Sequence, residues 1–143
     1  MTAPLDRGLL PTLLGYQLRR AQIAVFQNFG LHLDELELTP GQFGVLTLIA
    51  ANPGLSQTAL GAALGIDRST VVPLIDRLQG RGLVVRGASP GDRRSHALNL
   101  SGAGRTLLAE ATRRVREHEL AIAAGLTADE RRLLLELLPR LAR

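Results

Sequence analysis

Cysteine and lysine are both missing from this sequence of 143 residues, aromatic side chains number four, and no apolar run approaches the length of a membrane span. Without cysteine the chain can form no disulfide, no thiol-based redox switch and no Cys-ligated metal centre. The opening Met1-Thr-Ala-Pro-Leu-Asp-Arg7 lacks the apolar core of a signal peptide, and no run of about 18 apolar residues occurs. These features predict a soluble, cytoplasmic protein with no membrane partner. The lack of lysine makes all 17 basic residues arginine, which accounts for a pI near 11.1 at a formal net charge of only +4. Every cation is therefore a planar fork able to grip a phosphate or a guanine edge.

An apolar content of 45% suffices for a core, and the length suits one domain with helical extensions. The positive charge is clustered. Between Asp67 and Arg94 lie six arginines (68, 77, 81, 86, 93, 94) and three acids (67, 76, 92), so this segment alone carries +3 of the +4. Such clustering points to nucleic acid.

Periodicity and stop signals give the order of elements. Leu14, Leu18, Ala21, Val25, Phe29 and Leu33 form one stripe of a long first helix over about Leu9 to Leu36, with Pro11 in its first turn. Thr39-Pro-Gly-Gln42 opens a second helix with a capping box, and Asn52-Pro-Gly54 stops it. Ser56 caps a short helix to Leu64; Gly65 ends it; Asp67 caps the next, Arg68 to about Gln79. Two short helices around a three-residue turn with Gly form a helix-turn-helix. Leu83–Arg86 and Ala97–Leu100 read as strands of a hairpin. Ser101 caps a long helix to about Ala124, and Thr127 to Glu130 is a capping box before a final helix carrying Leu133, Leu134, Leu137, Leu138 and Leu141.

The predicted fold is mainly α with a small β-hairpin wing. A winged helix-turn-helix core over 37–100 is flanked by a dimerisation helix over 1–36 and dimerisation helices over 101–143. The leucine-rich ends exceed what a domain of this size can bury alone, which points to a two-fold homodimer.

On the helix from Arg68, the residues Val71, Leu74, Ile75 and Leu78 face inward, and Arg68, Ser69, Pro73 and Arg77 outward, with Thr70 and Val72 at the margins. Polar groups in the first turn suit a helix that enters the major groove by its N-terminus. Arg68 can fork onto guanine, and Ser69 and Thr70 can reach bases or phosphates. Ser56 can touch a phosphate or serve only as a cap. Pro73 breaks the rule against interior proline; its ring can pack on sugar or a thymine methyl, or mark a tolerated kink. Pro90-Gly91 builds the wing tip, where Arg93 and Arg94 can reach a minor groove.

Asp67–Leu78, Gly82–Arg86, Ser89-Pro-Gly-Asp-Arg-Arg-Ser95 and Leu98–Gly104 together resemble the MarR-type transcription regulators. The resemblance runs over nearly the whole chain, and the combined motif is specific where its pieces are not. One departure is Asn99-Leu-Ser-Gly102, where relatives commonly carry a Leu-Thr pair; serine caps as well. In this family the wing's Asp and second Arg pair, and the wing enters the minor groove, which transfers to Asp92 and Arg94. Relatives often carry proline at the place of Pro73. The resemblance implies a repressor on a pseudo-palindromic operator, released by a small aromatic carboxylate, phenol or CoA thioester bound between the dimerisation helices and the core. All four aromatics (Tyr16, Phe26, Phe29, Phe43) fall in the first two helices beside Arg19 and Arg20. Tyr16, Arg19, Arg20 and Phe43 are thus effector candidates, with plain packing as the alternative.

No catalytic residue and no cofactor is predicted. His32, His96 and His118 are far apart in sequence, and no histidine–carboxylate cluster has metal spacing; a metal bridged between distant histidines, as in some relatives, stays open. The rival to a DNA-binding regulator is a winged helix used only for protein interaction or dimerisation, a use that would not need the outward Arg68, Arg77, Arg93 and Arg94.

Overall fold

The computed structural model describes residues 2–89 and 92–142, with the backbone alone for residues 89 and 92–95. The described residues form six α-helices and three strands, which follow the predicted order except for the added β1: α1 Leu14–Leu33, α2 Pro40–Ala51, β1 Leu55–Ser56, α3 Gln57–Leu64, α4 Arg68–Gly80, β2 Val84–Ser89, β3 Asp92–Leu100, α5 Gly102–Ile122 and α6 Ala128–Leu137. The caps explain most boundaries. Thr39 and Gln42 form a reciprocal capping box on α2, as do Thr127 and Glu130 on α6. Ser56 accepts from the Ala59 amide, Asp67 from the Thr70 amide, and Ser101 from the Gly104 amide. Each satisfies a donor that the helix start leaves unpaired.

The first helix is not continuous from Leu9 to Leu36. A 3-10 turn, Leu10–Thr12, is followed by extended Leu13, and α1 begins only at Leu14. Thr12 turns both its amide and its hydroxyl onto the Leu9 carbonyl, so a local three-residue closure displaces the helical one. At the far end a second 3-10 turn, Asp34–Leu36, stops at Glu37 in the left-handed region. The last helix is likewise shorter than its leucine pattern. Pro139 sits in a 3-10 turn, Leu138–Arg140, so Leu141 lies beyond the helix.

The chain forms two units, Met1–His32 with Arg116–Arg143, and Leu33–Val115. The second holds nearly all of the core: Leu46, Ile49, Leu60, Val71, Ile75, Leu78 and Leu98 are fully enclosed. In the first, only Phe29 and His118 are buried among the described residues. Every described residue from 124 to 142 is exposed.

The sheet has the order β1-β3-β2, antiparallel throughout. The strands outrun the predicted Leu83–Arg86 and Ala97–Leu100, and β1 lies outside the predicted elements. Val84 pairs with Leu100, Arg86 with Leu98 and Ala88 with His96, and a bulge follows at Ala88/Ser89. Leu98 and Leu100 face inward and Asn99 outward, the alternation of a half-buried strand. At Gly104 a side chain has no room, because a Cβ would run into the Leu83 carbonyl. This lets the start of α5 lie directly on the base of the wing.

Candidate nucleic-acid interface

Helices α3 and α4 meet at 112°, within the range of a helix-turn-helix. Gly65 makes the turn in the left-handed region, φ 67°. Gly61 lets the helices close, since a Cβ there would stand 3.0 Å from both the Ile66 carbonyl oxygen and a Val71 methyl. Val71, Ile75 and Leu78 are buried and Leu74 is half-buried, so the predicted inner face of α4 faces inward. Arg68, Ser69, Thr70, Pro73 and Arg77 are all exposed on the opposite side.

The start of α4 is tightly organised. One Asp67 carboxylate oxygen accepts from the Ser69 hydroxyl at 2.7 Å, the Thr70 hydroxyl at 3.1 Å and the Thr70 amide at 3.1 Å. These hydrogen bonds, Ser69 first, hold the Asp67 carboxyl below the usual range and keep it ionised. Both hydroxyls thereby spend their only proton internally and present lone pairs outward. Pro73 supplies no amide to the Ser69 carbonyl one turn back, and it does so on the exposed face, where solvent or a ligand can satisfy that oxygen. The Ser56 hydroxyl accepts from Ala59 and still has its own proton to donate.

Two arginines counted in the basic cluster have internal roles instead. Arg81 donates to the carbonyls of Glu37 at 2.7 Å and Leu36 at 3.1 Å. Arg86 is a strut. Its Nε donates to buried Gln57 on α3 at 2.7 Å, and its Nη1 to Asp76 at 2.7 Å and Gln79 at 3.0 Å on α4. Nη2 points to the Val72 carbonyl at 3.4 Å. One side chain of the wing strand thus ties both helices of the helix-turn-helix. The sequence holds a faint sign of this, because Asp76 and Gln79 share one face of α4 at a three-residue spacing. The wing-tip assignments of Asp92, Arg93 and Arg94 concern side chains outside the described residues.

Of the effector candidates, Tyr16, Arg19 and Arg20 lie in one unit and Phe43 in the other. Tyr16 is half-buried; Arg19 and Arg20 are exposed rather than set in a closed pocket. A separate apolar groove of about 650 Å³ runs between Leu14, Leu18 and Ala21 of α1 and Leu134, Leu137 and Leu141 at the chain's end.

The histidines far apart in sequence do meet. His118 on α5 bonds the Asn28 side-chain oxygen through Nδ1 at 2.8 Å, and its ring lies edge-on to Phe29 at 5.4 Å and to His32 at 5.9 Å. No third ligand completes a metal site among the described residues. Burial first, and the His32 charge after it, push the His118 pKa down, against an upward pull from Glu119. The folded chain therefore takes up the His118 proton less readily than the unfolded one. Stability should be fully present above the ordinary histidine value of 6.5 and fall as pH drops below it. Urea denaturation at pH 5 and pH 7.5 checks this: His118→Gln should flatten the difference, and an equal slope in both proteins would contradict it.

The model of the MarR family matches residues 36–95, the stretch that holds α2 to the wing. A Thauera aromatica protein assigned to regulation of the hcr operon is 42% identical over 142 residues, covering 99% of this chain and 86% of that protein. This chain belongs to the MarR family. Among solved MarR-family structures, the repressor CouR bound to a 23-mer DNA duplex is 46% identical with a TM-score of 0.94, covering 99% of this chain and 100% of that one. CouR bound to p-coumaroyl-CoA gives 44% and 0.89, covering 98% and 99%. PcaV from Streptomyces coelicolor, in complex with its natural ligand, is 32% identical with a TM-score of 0.83, covering 99% and 97%. No single helix among the described residues is long and apolar enough to cross a membrane.

Proposed function

We propose that this MarR-family chain is a cytoplasmic homodimeric repressor, not an enzyme, that binds a pseudo-palindromic DNA site and is released by a small molecule. The observation that carries the reading is the outward row Arg68, Ser69, Thr70, Pro73 and Arg77 on a helix seated by its apolar face against α3. CouR on a DNA duplex, CouR with p-coumaroyl-CoA and PcaV with its ligand support it.

Roles follow from the chemistry of each group. Arg68 forks onto a guanine edge in the major groove. Ser69 and Thr70, their protons held by Asp67, accept from adenine or cytosine amino groups rather than donate to phosphate. The Pro73 ring packs on sugar or a thymine methyl. Arg77 and Ser56 meet phosphates, and Arg93 and Arg94 enter the minor groove with Asp92 holding a fork in place. The effector is an aromatic carboxylate or a CoA thioester, with Tyr16, Arg19, Arg20 and Phe43 as its candidate contacts.

Single-site variants separate these roles. Arg68→Ala should relax preference at one base position and cost about 1–3 kcal/mol there. Arg94→Ala should weaken binding to every sequence and lower the salt slope by about one unit for each phosphate charge no longer neutralised, with Asp92→Ala weaker in the same direction. Gel shifts at two salt concentrations on a selected operator and its point variants measure both. A uniform loss across sequences for Arg68→Ala, or an unchanged salt dependence for Arg94→Ala, would refute the assignments.

A further inference from the structure

We propose that Asp67 is a specificity-determining residue for DNA: its negative charge keeps phosphate away from the start of α4, so that the first turn is left to read base edges. This rests on the reading of α4 as the helix that enters the major groove. It predicts a gain of DNA affinity on substitution, where the arginines around it predict losses.

A helix start attracts phosphate by default, because its unpaired amides and its dipole both favour an anion. Exposed Arg68, Ser69 and Thr70 would strengthen that attraction. Asp67 opposes it. The residue is exposed, and its carboxylate accepts from the Ser69 hydroxyl at 2.7 Å and from the Thr70 hydroxyl and amide at 3.1 Å each. All of these donors are neutral, so the full negative charge stays at the helix tip. Asp76, the other acid of α4, is different: its carboxylate lies 2.7 Å from Arg86 Nη1 and is matched by that cation. A cap does not need the charge. Thr39, Ser56, Ser101 and Thr127 close the starts of α2, α3, α5 and α6 with neutral hydroxyls, and serine caps as well as aspartate does. Among these capped helices, the one with the outward DNA-facing row is the one that carries a carboxylate.

Charge and proton placement act together. A phosphate brought to the first-turn amides meets a like charge, and such a juxtaposition is unfavourable. The Ser69 and Thr70 hydroxyls give it no donor, since both protons are directed at Asp67. A base edge with an amino group meets the opposite situation. Cytosine N4 and adenine N6 can donate to the hydroxyl oxygens, and a carboxylate itself accepts from cytosine N4. Binding to DNA of any sequence is driven by phosphate contacts. A group that repels phosphate and accepts from bases therefore lowers affinity for wrong sequences more than for the right one, which is discrimination by repulsion.

The test is anisotropy of the full chain on a selected operator duplex, on its point variants and on a scrambled duplex, at two salt concentrations. Asp67→Asn keeps a side-chain oxygen for the cap and for both hydroxyls and removes only the charge. It should bind the scrambled duplex about tenfold more tightly, with a salt slope steeper by about one unit for each chain bound. The operator should gain less, so that discrimination falls. Asp67→Gly also removes the oxygen and frees both hydroxyl protons, at a cost to the cap of only a few tenths of a kcal/mol. It should lose the preference for adenine or cytosine at the bases nearest Ser69 and Thr70. Circular dichroism identifies variants that remain folded. A folded Asp67→Asn chain that binds the scrambled duplex as the parent does at both salt concentrations, or that binds both duplexes more weakly, would overturn the assignment. Equal affinity of the parent for operator and scrambled duplex would instead contradict the reading of α4 itself, so the two failures are distinct.

Discussion

Arg86→Ala is expected to lower DNA affinity more than tenfold, although Arg86 is not among the residues proposed to touch DNA. Its side chain is 17% exposed and bonds α3 and α4 from the wing strand. Removing it leaves the Gln57 amide, buried at 6% exposure, without that donor. The pair with Asp76 contributes little by itself, because Asp76 is 56% exposed and screened by water. The loss of hydrogen bonds from a largely desolvated guanidinium should cost about 1.5–3 kcal/mol of stability. The DNA effect follows from geometry, since the recognition helix would lose its tie to the wing. Arg86→Lys should not rescue it, as one ammonium cannot span Gln57, Asp76 and Gln79 in a plane. Fluorescence anisotropy at a temperature where circular dichroism shows the variant folded separates the two effects. Parent-like affinity and an unchanged urea midpoint would contradict the strut.

Deleting residues 127–143 is expected to turn a dimer into a monomer and to lower operator affinity by about 10²–10⁴, the range set by losing a linked second half-site. The deleted segment holds α6, which has no buried residue, and its Leu133, Leu134, Leu135, Leu137, Leu138 and Leu141 are 40–60% exposed. The unit it belongs to buries only Phe29 and His118 among the described residues. That much exposed leucine on a unit without a core calls for a second copy. The deletion should leave the enclosed core around Ile75 and Leu98 folded, because that core lies in Leu33–Val115. Analytical ultracentrifugation decides: an intact chain that sediments as a monomer at micromolar concentration would refute the dimer.

Local chemistry makes much of this fold readable. Thr39, Ser56, Asp67, Ser101 and Thr127 all cap the helices that the sequence assigns to them, because a side-chain oxygen three residues ahead of an orphan amide is a short-range interaction. The outward row on α4 is equally plain from the spacing of Val71, Ile75 and Leu78. What escapes is set by partners distant in the chain. β1 is two residues long and exists only by pairing with β3. Gly87, Ala88 and Ser89 have poor strand propensity and are held by the ladder opposite. Arg86 reads as one more surface cation until Gln57, 29 residues away, is seen to face it. The break at Leu13 depends on a competition for one carbonyl, which periodicity does not register.

The central claim is that two copies of the α4 face read DNA. Its most direct test is salt-titrated anisotropy of the full chain on a duplex selected from bound genomic fragments, against a scrambled duplex of the same length. The account predicts two chains per duplex, a preference of about 10³-fold or more for the selected sequence, and an affinity that falls steeply with salt. Equal affinity for both duplexes, or none for either, would contradict it.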